Sequence, residues 1–206
     1  MLSSLGIFFG SGVADFVEAH FVMVPREILQ GQRLYTLVTS MFMHASIYHL
    51  FGNMIYLYVF GDNIEDIFGH LGYFIFYLTS GFGAAFAHIA TALYAPTISS
   101  ILGITIPSGL DIGVLGASGA ISGILGAYIV LFPKAYVLTL IVYIILPIPA
   151  ILFLGFWFIM QWLMGFYDVA GGVAYFAHIG GFIIGMMLAL TIGLRRKRSL
   201  KAKVRA

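Results

Sequence analysis

Long apolar runs separated by short polar breaks organise this chain. The first apolar run, 2–17, is short and glycine-rich and ends among Asp15 and Glu18. A mixed stretch over 20–34, with Pro25, Arg26, Glu27 and Arg33, reads as an amphipathic connector lying at an interface. The pattern then predicts a second span over 35–60, a polar turn over 61–70, and a third span over 71–93. Pro96, Pro107 and Gly109 mark a connector over 95–112. A fourth span is expected over 113–132, stopped by Pro133 and Lys134. A fifth is expected over 135–163, kinked by Pro147 and Pro149 because proline removes a backbone donor. A loop over 164–172, with Asp168, Gly171 and Gly172, leads to a sixth span over 173–194.

Composition agrees with that pattern. The chain is 61% hydrophobic and 9% charged, against about 25% charged in ordinary soluble domains. Its polar surface is too small to cover a soluble globule. The 206 residues leave room for roughly six or seven spans of ~20 residues. The expected fold is all-α: a polytopic six-helix membrane bundle forming one domain over 1–194, with a basic tail over 195–206. There is no cysteine, which excludes disulfides and thiolate metal sites.

Seven of the ten Lys and Arg residues follow Leu194. The run could be read as a nucleic-acid contact, but directly after a span it reads as a flank obeying the positive-inside rule. The C-terminus is therefore expected in the cytoplasm. With six spans, spans two, four and six then run from outside to inside. The N-terminus shows neither a basic leader nor a cleavage site, so no removable signal peptide is read. In the absence of a transit-type leader, the expected location is a prokaryotic plasma membrane.

Polar side chains inside spans are costly and usually functional. Three clusters stand out. His44, His49 and Asn53 fall in span two, and His49 and Asn53 are i,i+4 on one helix face. Two donors aimed at one point suit an oxyanion, although taken alone the pair reads more readily as polar glue between helices. Ser118 lies in Gly116-Ala117-Ser118-Gly119 at the head of span four. It could be a nucleophile or a serine bonded to its own helix. Gly116, Gly119, Gly123 and Gly126 form a small-residue stripe there. His178 lies at the head of span six, one turn before Gly181, which pairs with Gly185 as small-xxx-small. A lone span histidine could also serve as a proton relay in a transporter. Ser118 and His178 each fall about five residues into their spans, roughly 8 Å below the same end. A serine with a histidine in reach is the minimum for nucleophilic acyl transfer. There is no H-E-x-x-H helix, and no mid-span Asp or Glu completes a carboxylate set, so no metal or other cofactor is expected. His20, His70 and His88 read as interface or packing residues.

Together these motifs, in this order and on these spans, resemble the rhomboid intramembrane serine proteases over about residues 33–190. Arg33 and the turn from Glu65 to Gly69 resemble positions that tie loops down in that family. The resemblance implies a six-helix bundle around a water-filled cavity open to the outside. It implies a dyad of Ser118 as nucleophile and His178 as general base, with no third carboxylate. His49, Asn53 and the Ser118 amide would bind the oxyanion, with the Ala117 amide assisting. His44, Gly116, Gly119, Gly181 and Gly185 would support the site. Trp157, Phe158 and Trp162 in span five, with the loop around Gly171, would gate it. Substrates would be membrane proteins with a single transmembrane segment, cleaved near the outer face of the lipid bilayer. One position departs from the family. An aromatic residue usually stands four places after the nucleophile and stacks on the histidine, whereas this chain has Ser122. Tyr175 or Phe176 are candidates to orient His178 instead. Two other readings stay open on sequence: a catalytically silent rhomboid-like protein that binds membrane clients, and a small transporter.

Overall fold

The computed structural model describes residues 11–103, 106, 108–167 and 172–205. Most of the expected first span, with Pro107, Asp168 and Gly171, lies outside the described residues. Helix α1 (Ser11–Phe21) includes the end of that span. Short helices α2 (Pro25–Leu29) and α3 (Thr36–Thr39) follow, the second running into a 3-10 turn over Ser40–Phe42. The main bundle is α4 (Ile47–Phe68), α5 (His70–Leu102), α6 (Ser118–Leu131), α7 (Ala150–Tyr167) and α8 (Tyr175–Leu188). A π-helical turn over Ala189–Gly193 joins α8 to α9 (Leu194–Arg205).

Among the described residues, three helices are long and apolar enough to cross a membrane: His70–Leu102, Ala150–Tyr167 and the continuous stretch Tyr175–Lys203. Helix α6 is apolar but shorter, and α4 carries Asp62, Glu65 and Asp66 near its end. The chain is a polytopic helical membrane bundle, as its composition requires.

Helix α6 sits at the centre. Every residue from Ala120 to Tyr128 is buried, as expected of a helix apolar on all sides and surrounded by others. It packs chiefly against α8, then against α5 and α4. Glycines make this possible. A Cβ added at Gly181 would collide with the Gly119 carbonyl, one at Gly185 with the Gly123 backbone, and one at Gly126 with the Phe182 carbonyl. The two backbones therefore touch directly. That contact replaces the hydrophobic drive that lipid-embedded helices lack.

Several expected boundaries move. Span two does not run unbroken from 35. The chain opens at 43–46, and Ser46 starts α4 in extended backbone, its side chain accepting from the His49 amide at 3.0 Å. His44 consequently sits in the loop before the helix. The polar turn expected over 61–70 is helical to Phe68, and Gly69 (φ 71°) alone makes the break. Helix α5 continues through Pro96 to Leu102, well past the expected end at 93. Helix α6 starts at Ser118 itself, because the preceding segment is extended. There Val114 pairs with Met23, and the Gly116 amide donates to the Ser40 carbonyl at 2.8 Å. Helix α7 continues to Tyr167, beyond the expected start of the loop at 164.

The largest correction concerns span five. Residues Tyr136–Ile141 and Ile144–Pro149 form an antiparallel hairpin, β1 and β2, in register from Tyr136↔Pro149 to Ile141↔Ile144. Only α7 is helical. Val, Ile, Thr and Tyr favour strands, and a two-stranded sheet leaves each strand an unpaired edge where Pro147 and Pro149 lose no partner.

The basic C-terminal segment is the helix α9. Arg196 Nη1 donates to the Phe68 carbonyl at 2.6 Å, and Lys197 Nζ donates to the Leu131 carbonyl and lies 3.8 Å from the Phe132 ring centroid. These cations meet the ends of α4 and α6, where helices carry unsatisfied carbonyls and partial negative charge. In the connector, Arg33 bonds Glu27 at 2.6 Å and the Val22 carbonyl at 3.2 Å, so it does tie this segment down. At the end of α4, Glu65 pairs with His70 across Gly69.

Gly185→Val is expected to destabilise the bundle by about 1–3 kcal/mol through overpacking. Gly155→Ala, with open space at its Cβ, should leave stability unchanged or improved. Unfolding of the purified protein in mixed micelles tests the pair, and equal midpoints would contradict backbone contact between α6 and α8.

Candidate active site

Ser118 is the first residue of α6 and His178 the fourth of α8. Ser118 therefore stands at its helix end, not five residues in as the apolar pattern suggested. Their side chains nevertheless meet: His178 Nε2 and Ser118 Oγ are 2.8 Å apart. The glycine contact just below them sets this distance, because Gly119 and Gly181 lie one and three residues further along.

His178 makes a second bond at its other nitrogen. Nδ1 lies 2.8 Å from Gln161 Oε1 on α7. The amide nitrogen of Gln161 makes a long bond, 3.5 Å, to the Trp157 carbonyl. A carbonyl can only accept, so that bond turns the amide oxygen toward His178. Nδ1 then carries the proton and Nε2 is left as the acceptor for the Ser118 hydroxyl. The Trp157 ring covers the imidazole at 6.0 Å between centroids.

The family-typical aromatic position is Ser122. It is buried, and its hydroxyl donates to the Ser118 carbonyl at 2.6 Å. It turns back on its own helix and does not reach His178. Phe176 packs instead against Trp162, Phe166 and Gly165. Phe176 therefore does not orient His178; Gln161 and Trp157 contact the imidazole instead.

On the opposite wall, His49 and Asn53 occupy the first turns of α4. Gly116 adopts φ 122°, and a Cβ there would stand 2.8 Å from His49 Cε1, 3.0 Å from its Nε2 and 3.6 Å from Ser118 Oγ. The His49 ring edge thus lies just across Gly116 from the serine. The Ala45 amide donates to His49 Nδ1 at 3.4 Å, which leaves the proton of a neutral ring on Nε2, the side facing Gly116. Asn53 is buried, and its Nδ2 has no hydrogen-bond partner among the described residues. A buried unpaired donor costs about 1–3 kcal/mol and marks a place where an acceptor is wanted. Ala117 is buried at the foot of α6, with its carbonyl accepting from Ile121. His44 meets the His49 ring edge-on at 5.2 Å.

One cavity of about 630 Å³ opens between these walls, and Ala117, His44 and Gln161 stand behind its lining. His49, Asn53, Ser118 and His178 all face it, as do Trp157 and His88. His88 was assigned to packing from sequence; its place on the cavity wall was hidden because nothing in its neighbourhood forms a motif. Gln161 was missed although a signal existed, since it is the one amide in the apolar stretch of α7. Among the expected gate residues, Trp157 lines the cavity, Phe158 stacks on Phe182 at 4.5 Å and Trp162 lies on the outer side, 42% exposed.

Gly116→Ala would force a positive φ on a residue with a Cβ and drive that Cβ into His49. A loss of about 1–3 kcal/mol is expected, read by unfolding in mixed micelles. Wild-type stability would show that the strained turn is dispensable.

The family assignment accords with this geometry. A model of the Rhomboid domain matches residues 31–195. The chain is 34% identical over 160 residues to RHOMBOID-like protein 12, mitochondrial, from Arabidopsis thaliana, covering 77% of this chain and 46% of that protein. It is 30% identical over 172 residues to Rhomboid protein 1, mitochondrial, from Saccharomyces cerevisiae, covering 81% and 45%. The chain therefore spans under half the length of these relatives. Both are eukaryotic and named mitochondrial, so the expected prokaryotic plasma-membrane location is not borne out. With its Rhomboid-domain match over most of its length and a helical membrane bundle that joins the span-four serine to the span-six histidine, the chain belongs to the rhomboid family.

Proposed function

We propose that this protein is an intramembrane serine endopeptidase that hydrolyses peptide bonds in or near the transmembrane segments of membrane proteins. The observation carrying this reading is the 2.8 Å contact between Ser118 Oγ and His178 Nε2 inside a cavity that also holds the side chains of His49 and Asn53.

The chemistry follows from the tautomers. His178 Nε2 takes the hydroxyl proton as Ser118 Oγ attacks the scissile carbonyl, and the tetrahedral intermediate places negative charge on the former carbonyl oxygen. His49 Nε2–H and Asn53 Nδ2–H donate to that oxygen, joined by the Ser118 amide and, by family resemblance, the Ala117 amide. Donors aimed where charge develops provide much of the rate enhancement in such sites. The protonated His178 then gives its proton to the leaving amine, which departs and leaves an acyl-enzyme. Water enters through the cavity and attacks the acyl carbonyl as His178 takes its proton, and His178 returns that proton to Ser118 Oγ as the carboxylic acid product leaves.

The remaining roles follow from position. Trp157, Phe158 and Trp162 on α7 form the wall past which a substrate segment enters from the bilayer. Small or helix-breaking residues in that segment let its backbone unwind toward Ser118. The seven basic residues that follow Leu194 all lie in α9, so that end faces the inner side of its membrane by the positive-inside rule and the catalytic end opens on the other side.

Cleavage of a single-span substrate in liposomes tests the reading. Ser118→Ala and His178→Ala should each reduce turnover to background with folding intact. Asn53→Ala should be milder, slowing turnover about 10- to 1000-fold as for loss of one oxyanion donor. Substantial cleavage by Ser118→Ala would refute the nucleophile, and wild-type kinetics in Asn53→Ala would remove Asn53 from the oxyanion hole.

A further inference from the structure

We infer that Gln161 is a positioning residue for the base, the neutral third member of a Ser118–His178–Gln161 relay. This rests on the protease reading above.

The argument is geometric. Gln161 is buried, 9% exposed, and lies in a helix whose other side chains are almost all apolar. A polar side chain in such surroundings is expensive unless it is bonded. Its amide is spent at both ends: Oε1 on His178 Nδ1 at 2.8 Å and Nε2 on the Trp157 carbonyl. Trp157 precedes it by one turn and lays its ring beside the same imidazole. One face of α7 therefore supplies both a hydrogen-bond acceptor and a planar wall to His178. With Ser122 turned back on Ser118, these two contacts bear on the ring's plane and its tautomer.

An acceptor at Nδ1 has a defined catalytic meaning. It holds the imidazole with Nε2 free to take the serine proton, and the wrong tautomer costs a serine protease heavily. In many triads that acceptor is a carboxylate, which also stabilises the imidazolium. A glutamine orients without a charge, so no anion has to be buried in the bundle. The titratable groups that line the cavity around His178 are Tyr48, His49 and Tyr56 from α4, His88 from α5 and Tyr175 from α8.

The test is steady-state cleavage of a single-span substrate in liposomes, over a pH series, by wild type, Gln161→Met and Gln161→Glu. Gln161→Met keeps the shape and removes the acceptor. Its kcat should fall about 10- to 100-fold, as for loss of an outer-shell orienting bond, with KM nearly unchanged. Gln161→Glu keeps the acceptor and adds charge. It should recover most of the kcat lost in Gln161→Met, and the acid limb of its profile should move to higher pH, because an anion at Nδ1 favours the imidazolium. Wild-type kcat in Gln161→Met, or equal losses in both variants with an unmoved acid limb, would overturn the assignment. If Gln161→Met does not fold, the acid limb of Gln161→Glu decides alone: a shift upward supports the relay and an unmoved limb refutes it. Ser118→Ala and His178→Ala run alongside. If they cleave as wild type does, the protease reading itself fails; if they are inert while Gln161 is indifferent, only the relay fails.

Discussion

Direct contact between the backbones of α6 and α8 is the constraint on which everything else hangs. Gly119, Gly123 and Gly126 on one helix meet Gly181, Phe182 and Gly185 on the other at distances that leave no room for a Cβ. Helices in lipid gain little from hiding apolar surface, so close approach and the dispersion it allows must hold them together. The same approach fixes the heads of the two helices. Ser118 and His178 sit within one turn of the first glycine pair, and their hydrogen bond is a direct consequence of where the glycines lie. Packing and chemistry thus share one structural cause.

Around that contact the polar groups are few. Each imidazole of the candidate machinery has a neighbour that sets its proton: the Ala45 amide fixes His49 as a donor at Nε2, and Gln161 fixes His178 as an acceptor at Nε2. One ring is poised to give a hydrogen bond and the other to take a proton. Neither assignment needs a buried carboxylate, whose desolvation in such a bundle would be costly. The Asn53 amide is one of several buried groups left unpaired among the described residues, with Ser80 and His88, and Asn53 lines the same cavity as Ser118.

Much of this was legible in the sequence because polar or glycine residues inside apolar runs stand out against their background. Gly116-Ala117-Ser118-Gly119, His49 with Asn53, and His178 with Gly181 and Gly185 were each visible for that reason, and their shared cavity follows from packing rules for small residues. The hairpin over 136–149 was not legible. An apolar stretch without alternation shows no period to separate helix from strand, and two prolines fit a kinked helix as well as an edge strand. Helix starts were also displaced. The chain before Ser118 is apolar yet extended, because Val114 and Gly116 are bonded to Met23 and Ser40, and long-range partners of that kind leave no local mark. Gln161 lay in plain view as a lone amide among aromatic and aliphatic residues, but its meaning depends on α7 leaning against α8, which sequence order does not reveal.

The central claim is that Ser118 is an activated nucleophile because His178 is held against it. Labelling by a fluorophosphonate probe that reacts covalently with activated serines tests this most directly, comparing wild type with Ser118→Ala and His178→Ala in folded, detergent-solubilised protein, with entry of the probe into the cavity verified separately. Labelling of the wild type that disappears in both variants is the predicted result. A well-folded wild type that admits the probe and remains unlabelled would contradict the claim, as would labelling that persists in either variant.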